Sequence, residues 1–116
     1  MFVDTKAKVP VTLGGNTIYI KAKMDYGTTA AVQDEIKATG AGNADMVIEK
    51  LGSYRMALLT HNIVGWEGPD FMDETGRLIP CTRENIRRLD PSEPLVEMVA
   101  DEIGRRNRKV ESPDPN

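Results

Sequence analysis

The stretch from Leu58 to Leu89 reads L-L-T-H-N-I-V-G-W-E-G-P-D-F-M-D-E-T-G-R-L-I-P-C-T-R-E-N-I-R-R-L. A helical run ends near the only tryptophan, Trp66, and the chain then crosses an acidic turn at Asp73-Glu74-Thr75-Gly76 and an apolar step at Leu78-Ile79-Pro80. Aspartate forms turns by bonding its own backbone two residues on, and glycine by taking positive φ at no steric cost. Helix is expected to restart at Thr82, whose hydroxyl accepts a hydrogen bond from an orphaned amide of the first turn. The segment therefore divides the chain into a long helix before it and short helices after it. Gly65 to Pro80 is expected to be irregular, with Leu78-Ile79 as a short extended piece.

Toward the N-terminus, Val9, Val11 and Leu13 alternate with polar or small neighbours, and the alternation resumes at Ile18, Ile20, Ala22 and Met24 after Gly14-Gly15-Asn16. That period of two around a turn triplet predicts a hairpin, with Tyr19, Lys21 and Lys23 on its other face. A lone hairpin is marginal in water, so the helices that follow must cover it. Thr28 or Thr29 is placed to cap a short helix running to about Thr39, with Val32 and Ile36 on one face and Gly40 at its end. A loop at Thr39 to Asn43 leads to the longest helix, started by Asn43 or Asp45. Along it Val47, Leu51, Tyr54 and Leu58 recur at spacings of three and four, in a stripe widened by Ile48, Arg55, Leu59, Asn62 and Ile63.

On the other side of the opening stretch, Asp90-Pro91 interrupts the helix begun at Thr82, because proline disfavours helical geometry in the residue before it. Ser92 is placed to cap a final helix with Pro94 in its first turn and Leu95, Val96, Val99 and Ile103 as its apolar face. The expected fold is α+β and mainly helical: an N-terminal β-hairpin packed on a bundle of about four helices. One domain spans residues 1–110, and residues 111–116, with two prolines, form a flexible C-terminal tail.

The 116 residues, 40% of them hydrophobic, suit one compact domain with a modest core. Fifteen basic against 18 acidic residues leave a net charge of −3, too small to steer the whole molecule to nucleic acid. Cys81 is the single cysteine, so no intramolecular disulfide forms. No apolar run approaches the roughly 20 residues that span a bilayer. The opening residues Met1 to Lys8 lack the pattern of a secretory signal, and a cytoplasmic protein is expected.

His61 and Cys81 are the only candidates for a nucleophile and base pair, and only folding could bring them together. His61, in the last turn of the long helix, has the simpler expected role of bonding the final carbonyls and complementing the helix dipole. Zinc would need more thiolates or imidazoles than are present. The carboxylates Asp70, Asp73 and Glu74 lack the alternate spacing of a calcium loop and read as a solvated turn. Gly40 and Gly42 lack the flanking strand and Gly-Lys-Ser/Thr ending of a phosphate loop. No metal and no cofactor is expected.

Two partner-binding candidates remain. Arg105, Arg106, Arg108 and Lys109 form the densest basic cluster; the helix dipole accounts for cations there, nucleic acid is disfavoured because no aromatic residue accompanies them and Glu111 and Asp114 follow, and a patch for an acidic protein partner stays open. Trp66 and Phe71 are either plugs for the core where the long helix ends, which is favoured, or surface anchors of the kind enriched at binding hot spots.

In their order, Ile18-Tyr-Ile-Lys-Ala-Lys-Met-Asp-Tyr-Gly27, Ile63-Val-Gly-Trp66, Asp73-Glu-Thr-Gly76 and Leu78-Ile-Pro-Cys-Thr82 resemble the tail assembly chaperones of long-tailed, siphovirus-type bacteriophages, over about residues 16 to 108. The resemblance implies a non-enzymatic chaperone that binds the tape measure protein, and tail tube protein subunits with it. Such a protein keeps its long helical partner soluble in the host cytoplasm and is absent from the mature virion. It implies no membrane partner and leaves a homo-oligomer open, along with a longer frameshifted form. The alternatives are a structural tail or head-tail connector component and, from another class, a small nucleic-acid-binding regulator using Arg105 to Lys109.

Overall fold

A computed structural model describes residues 1–38 and 47–107. Strands β1 (Lys8–Leu13) and β2 (Asn16–Lys21) form the expected antiparallel hairpin. The reversal needs only Gly14 and Gly15, at φ 61 and 84, the paired positive φ of a two-residue hairpin turn. Asn16 is the first residue of β2, paired with Leu13. Its side chain is buried with those of Ile18 and Ile20, while Thr17, Tyr19 and Lys21 take the other face.

The sheet has a third strand that the sequence pattern does not announce. Helix α2 (Val47–Asn62) runs directly into β3 (Ile63–Glu67), which lies antiparallel to β2 and completes the order β1-β2-β3. The expected helical stripe therefore stops at Asn62, and the region expected to be irregular begins as strand. The physical reason is a bulge: Tyr19 pairs with Gly65 but Ile20 pairs with Ile63, so β3 advances two residues against one. Ile63 and Trp66 are three apart and would face opposite sides of a regular strand, yet both are buried, at 6% and 5% exposure. A spacing of three imitates a helix.

Helices α1 (Tyr26–Ala38), α3 (Arg83–Ile86) and α4 (Pro94–Asn107) all border α2 or the sheet. α2 packs against the other three helices, and α4 also rests on β1 and β2. The class is α+β, as expected. Leu95, Val96, Val99, Ala100 and Ile103 of α4 meet Ile18 and Ile20 of the sheet in one continuous core, to which α2 adds Ala57, Leu58 and Leu59. Tyr54, expected on the apolar stripe of α2, is 43% exposed, and Arg55, expected to widen that stripe, is exposed as well. The side chains of Val47, Ile48 and Leu51, the loop and helix start expected between Thr39 and Asp45, and the 111–116 tail lie outside the described residues.

Local caps differ from expectation in two of three places. Asp25, not Thr28 or Thr29, caps α1: its carboxylate accepts from the Thr28 amide at 2.8 Å, and the Thr29 hydroxyl donates to the Asp25 carbonyl at 3.0 Å. Thr82 caps α3 as expected, accepting from the Asn85 amide at 3.2 Å. The Ser92 hydroxyl, expected to cap α4, instead donates to the Asp90 carboxylate at 2.7 Å; α4 starts at Pro94 and its first bond runs from the Glu97 amide to the Glu93 carbonyl, so Glu93 holds the cap position and Ser92 lies one residue outside it.

The outer edge of β1 is blunted. The Ala22 amide donates to the Ala7 carbonyl at 3.1 Å, which continues the hydrogen-bonded alternation through Val9–Ile20, Val11–Ile18 and Leu13–Asn16. Pro10 falls between these pairs and faces the open side, where its missing N–H breaks the row a second strand would need.

Gly68, at φ 128, follows β3, and a Cβ there would lie 2.4 Å from Asn16 Oδ1, 2.7 Å from its Cα and 2.8 Å from the Gly15 carbonyl. Gly68→Ala is expected to destabilise by about 2 kcal/mol or more, from positive φ and backbone overlap together. Gly52 lies on exposed α2 with nothing within 4 Å of an added Cβ, so Gly52→Ala should stabilise by about 0.5–1 kcal/mol. Urea midpoints at unchanged slope check both; equal effects of one sign would contradict this account.

Candidate functional site

Trp66 lies on the buried face of β3 opposite Ile18. After the Gly68 turn a single 3-10 turn, Pro69–Phe71, brings the Phe71 ring onto the indole at 4.9 Å between centroids and 10° between planes. Such a pair adds about 0.5–1.5 kcal/mol beyond the area it buries. The indole N–H donates to the Ile79 carbonyl at 2.7 Å, so the polar end of Trp66 is satisfied in the interior.

Ile79 is delivered to that position by a small hairpin. Its amide donates to the Phe71 carbonyl at 2.7 Å, Asp73 N–H donates to the Arg77 carbonyl at 2.7 Å, and Met72 bridges to Leu78. The expected acidic turn closes it. Asp73 Oδ1 accepts from the Thr75 hydroxyl at 2.6 Å, the Thr75 amide at 2.8 Å and the Arg77 amide at 3.0 Å, with Gly76 at φ 83. These bonds, led by the Thr75 hydroxyl, hold the Asp73 carboxyl below its usual range.

The start of this segment is clamped to the β1–β2 hairpin. Asn16 Nδ2 donates to Asp70 Oδ2 at 2.9 Å, and its Oδ1 accepts from the Asp70 amide at 3.0 Å. Nothing local in the sequence marks Asn16 for this role, because its partner is 54 residues away.

Trp66 and Phe71 are therefore packed side chains, 5% and 7% exposed. They also form the floor of a cleft of about 620 Å³, walled by Leu13, Ile79, Leu89 and Pro94 and rimmed by Asp70, Arg88, Asp90 and Glu93. Burial and cleft are compatible: the stack supports the opening from beneath.

Arg105 and Arg106 stand elsewhere. They occupy the last turn of α4, ten residues beyond Leu95 at the cleft, or about 15 Å along the axis at the helical rise. Arg105 donates through Nε to Glu102 at 3.0 Å and remains exposed. Arg106 donates through Nε to the Ala22 carbonyl at 2.9 Å and through Nη1 to Glu102 at 3.3 Å. Asn107 Oδ1 accepts from the Met24 amide at 2.8 Å. Arg106 and Asn107 thus tie the end of α4 to the chain leaving β2. The Arg105 side chain, ahead of Arg106, holds the Glu102 carboxyl below its usual range. Arg108 and Lys109 lie outside the described residues.

His61 does not take the expected role at the helix carbonyls; its Nε2 lies 2.8 Å from Glu35 Oε1 and links α2 to α1. The Cys81 thiol is half-buried against the core, and burial pushes its pKa up, away from thiolate character. Among the described residues no group of three or more His, Cys, Asp or Glu is placed to hold a metal, and no helix is long and apolar enough to cross a membrane. No protein-family model, curated protein or solved structure matches the chain.

Trp66→Phe keeps an aromatic ring over Phe71 but leaves the Ile79 carbonyl without its donor, and should lower stability by about 1–3 kcal/mol in denaturant titrations followed by circular dichroism. A loss below a few tenths would show that the indole N–H is not structural. Acid sensitivity should follow from Asp25, Asp73, Asp90 and Glu102, all held below their ordinary values of 3.8 and 4.5 by hydrogen bonds. Each binds fewer protons folded than unfolded, so its contribution is present above the ordinary value and is lost as pH falls through and below it. The melting temperature should hold from neutral pH to about 4.5 and then fall. Asp73→Asn, which keeps an acceptor oxygen and does not titrate, should make that fall shallower.

Proposed function

We propose that the protein is a tail assembly chaperone of a long-tailed bacteriophage. It acts without catalysis, binds the tape measure protein and tail tube subunits, and keeps that long helical partner soluble in the host cytoplasm until the tube polymerises around it. The observation that carries the reading is the ordered succession of Tyr26-Gly27, Ile63 to Trp66, Asp73 to Gly76 and Leu78 to Thr82.

The reading is supported by what those segments do. Tyr26-Gly27 opens α1 behind the Asp25 cap, Ile63 to Trp66 is the bulged strand, Asp73 to Gly76 closes the small hairpin, and Thr82 caps α3. Their order is then a set of structural constraints. Support also comes from Met72, Leu78 and Met98, exposed at 44%, 47% and 41%, which offer adaptable apolar contacts of the kind a long partner of varying sequence requires. The four helices are read as a bundle around α2. The basic end of α4 favours a nucleic-acid regulator less, since Arg105 and Arg106 already share Glu102.

Co-expression with the tape measure protein encoded in the same genome should raise that protein's soluble yield severalfold and bring the two down together. Unchanged solubility without co-purification would sink the proposal. Purified virions should lack the protein; a fixed copy number in them would identify a structural component instead.

A further inference from the structure

The cleft over the Trp66–Phe71 stack has a wall chemistry that selects an occupant. Its accessible sides are apolar: Leu13 at the hairpin tip is 42% exposed, and Ile79 and Leu89 are half-buried. Its rim carries three carboxylates, Asp70, Asp90 and Glu93, against the single guanidinium of Arg88. Two of those carboxylates are held in place before anything binds. Asp70 Oδ2 is fixed by Asn16, and Asp90 Oδ1 by the amide and hydroxyl of Ser92 at 2.9 and 2.7 Å. Glu93 is exposed, and its side chain makes no hydrogen bond or ion pair among the described residues.

The route of entry is also constrained. The hairpin meets the cleft at its closed end, where Leu13 is paired with Asn16, so it offers no free strand edge there. The apolar walls and the rim carboxylates are side-chain features, so an occupant that reads them does so through its own side chains. At about 620 Å³ the cleft is within the size range of ligand sites and takes a few side chains from one face of a helix.

We propose that this cleft is a docking groove for a short amphipathic helix, which buries apolar side chains spaced three and four apart against Leu13, Ile79 and Leu89 and sets a lysine or arginine against the rim of Asp70, Asp90 and Glu93. The proposal rests on the chaperone reading for the protein that carries the helix, and on the cleft alone for the helix's chemistry. Rim charges complementary to the partner set orientation and specificity, while the apolar walls supply most of the contact area.

Trp66 is the only tryptophan and sits on the floor, so its emission reports occupancy. The probe is a synthetic amphipathic peptide with leucines at helical spacing and flanking lysines, titrated beside two controls, one with glutamate for lysine and one with serine for leucine. The lysine peptide should shift Trp66 emission and bind about tenfold more tightly than the glutamate peptide, the sum expected of a few exposed charge pairs. Asp90→Asn with Glu93→Gln should erase most of that ratio, and Leu13→Ser should weaken both leucine peptides. The Asp90→Asn change keeps an acceptor oxygen for Ser92, and melting curves verify that each variant is folded.

Equal affinity for the lysine and glutamate peptides, or unchanged binding by the rim variants, overturns the proposal. A response to the serine peptide or to a neutral apolar dye alone does so too, as does concentration-dependent dimerisation abolished by Leu13→Ser, which would make a second copy the occupant. Failure is separable from that of the chaperone reading. Tape measure protein that co-purifies equally with the rim variant keeps the chaperone and removes the groove, whereas peptide binding without any co-purification does the reverse.

Discussion

The Trp66 indole N–H donating to the Ile79 carbonyl is the contact on which the second half of the chain depends. A tryptophan on the inner face of a sheet brings a large apolar body and one donor that must be satisfied inside. Here the acceptor comes from a segment that has no regular element of its own beyond one 3-10 turn and one bridge. The stack with Phe71 fixes where that segment begins, and the bond to Ile79 fixes where it ends. Between them the Asp73 turn has little freedom, and α3 and α4 must start where the segment delivers them.

Asn16 and Gly68 act as a pair at the opposite side of the same unit. The Asn16 amide satisfies both the Asp70 backbone and its carboxylate, and it does so from a position that a Cβ on residue 68 would overlap. The close approach requires glycine, and the buried amide requires its two partners. A comparable closure occurs at the far end of α4, where Arg106 and Asn107 satisfy the Ala22 carbonyl and the Met24 amide. The C-terminal end of α4 is thereby tied to the chain leaving β2, and the cleft lies between the Asn16–Asp70 clamp and the α3–α4 connection.

Much of this is legible in the residues. The hairpin, its glycine turn, the Thr82 cap and the apolar face of α4 follow from periodicities and side-chain preferences that act within a few residues. What is not legible arises where a neighbouring group changes the local pattern. β3 is hidden because a bulge makes two inward residues, Ile63 and Trp66, recur at a helical spacing. Asp25 takes the cap of α1 ahead of the threonines beside it, its carboxylate being the better acceptor, and α4 starts at Pro94, beyond the reach of a Ser92 cap, so the Ser92 hydroxyl donates to Asp90 instead. Of the candidate site residues, Trp66 and Phe71 share one cleft while Arg105 and Arg106 belong to a separate clamp with Glu102.

The sequence by itself determined the class of the fold, the hairpin and its turn, the Thr82 cap and the start of the last helix at Pro94, because local propensity and short-range hydrogen bonding act before any long-range contact forms. Only the tertiary structure decided that β3 joins the sheet, that His61 reaches Glu35, that Asn16 reaches Asp70, and that a buried aromatic stack carries an acid-rimmed cleft. Those pairings join residues far apart in the chain. Each depends on loop closure and on packing against partners that no neighbouring residue specifies.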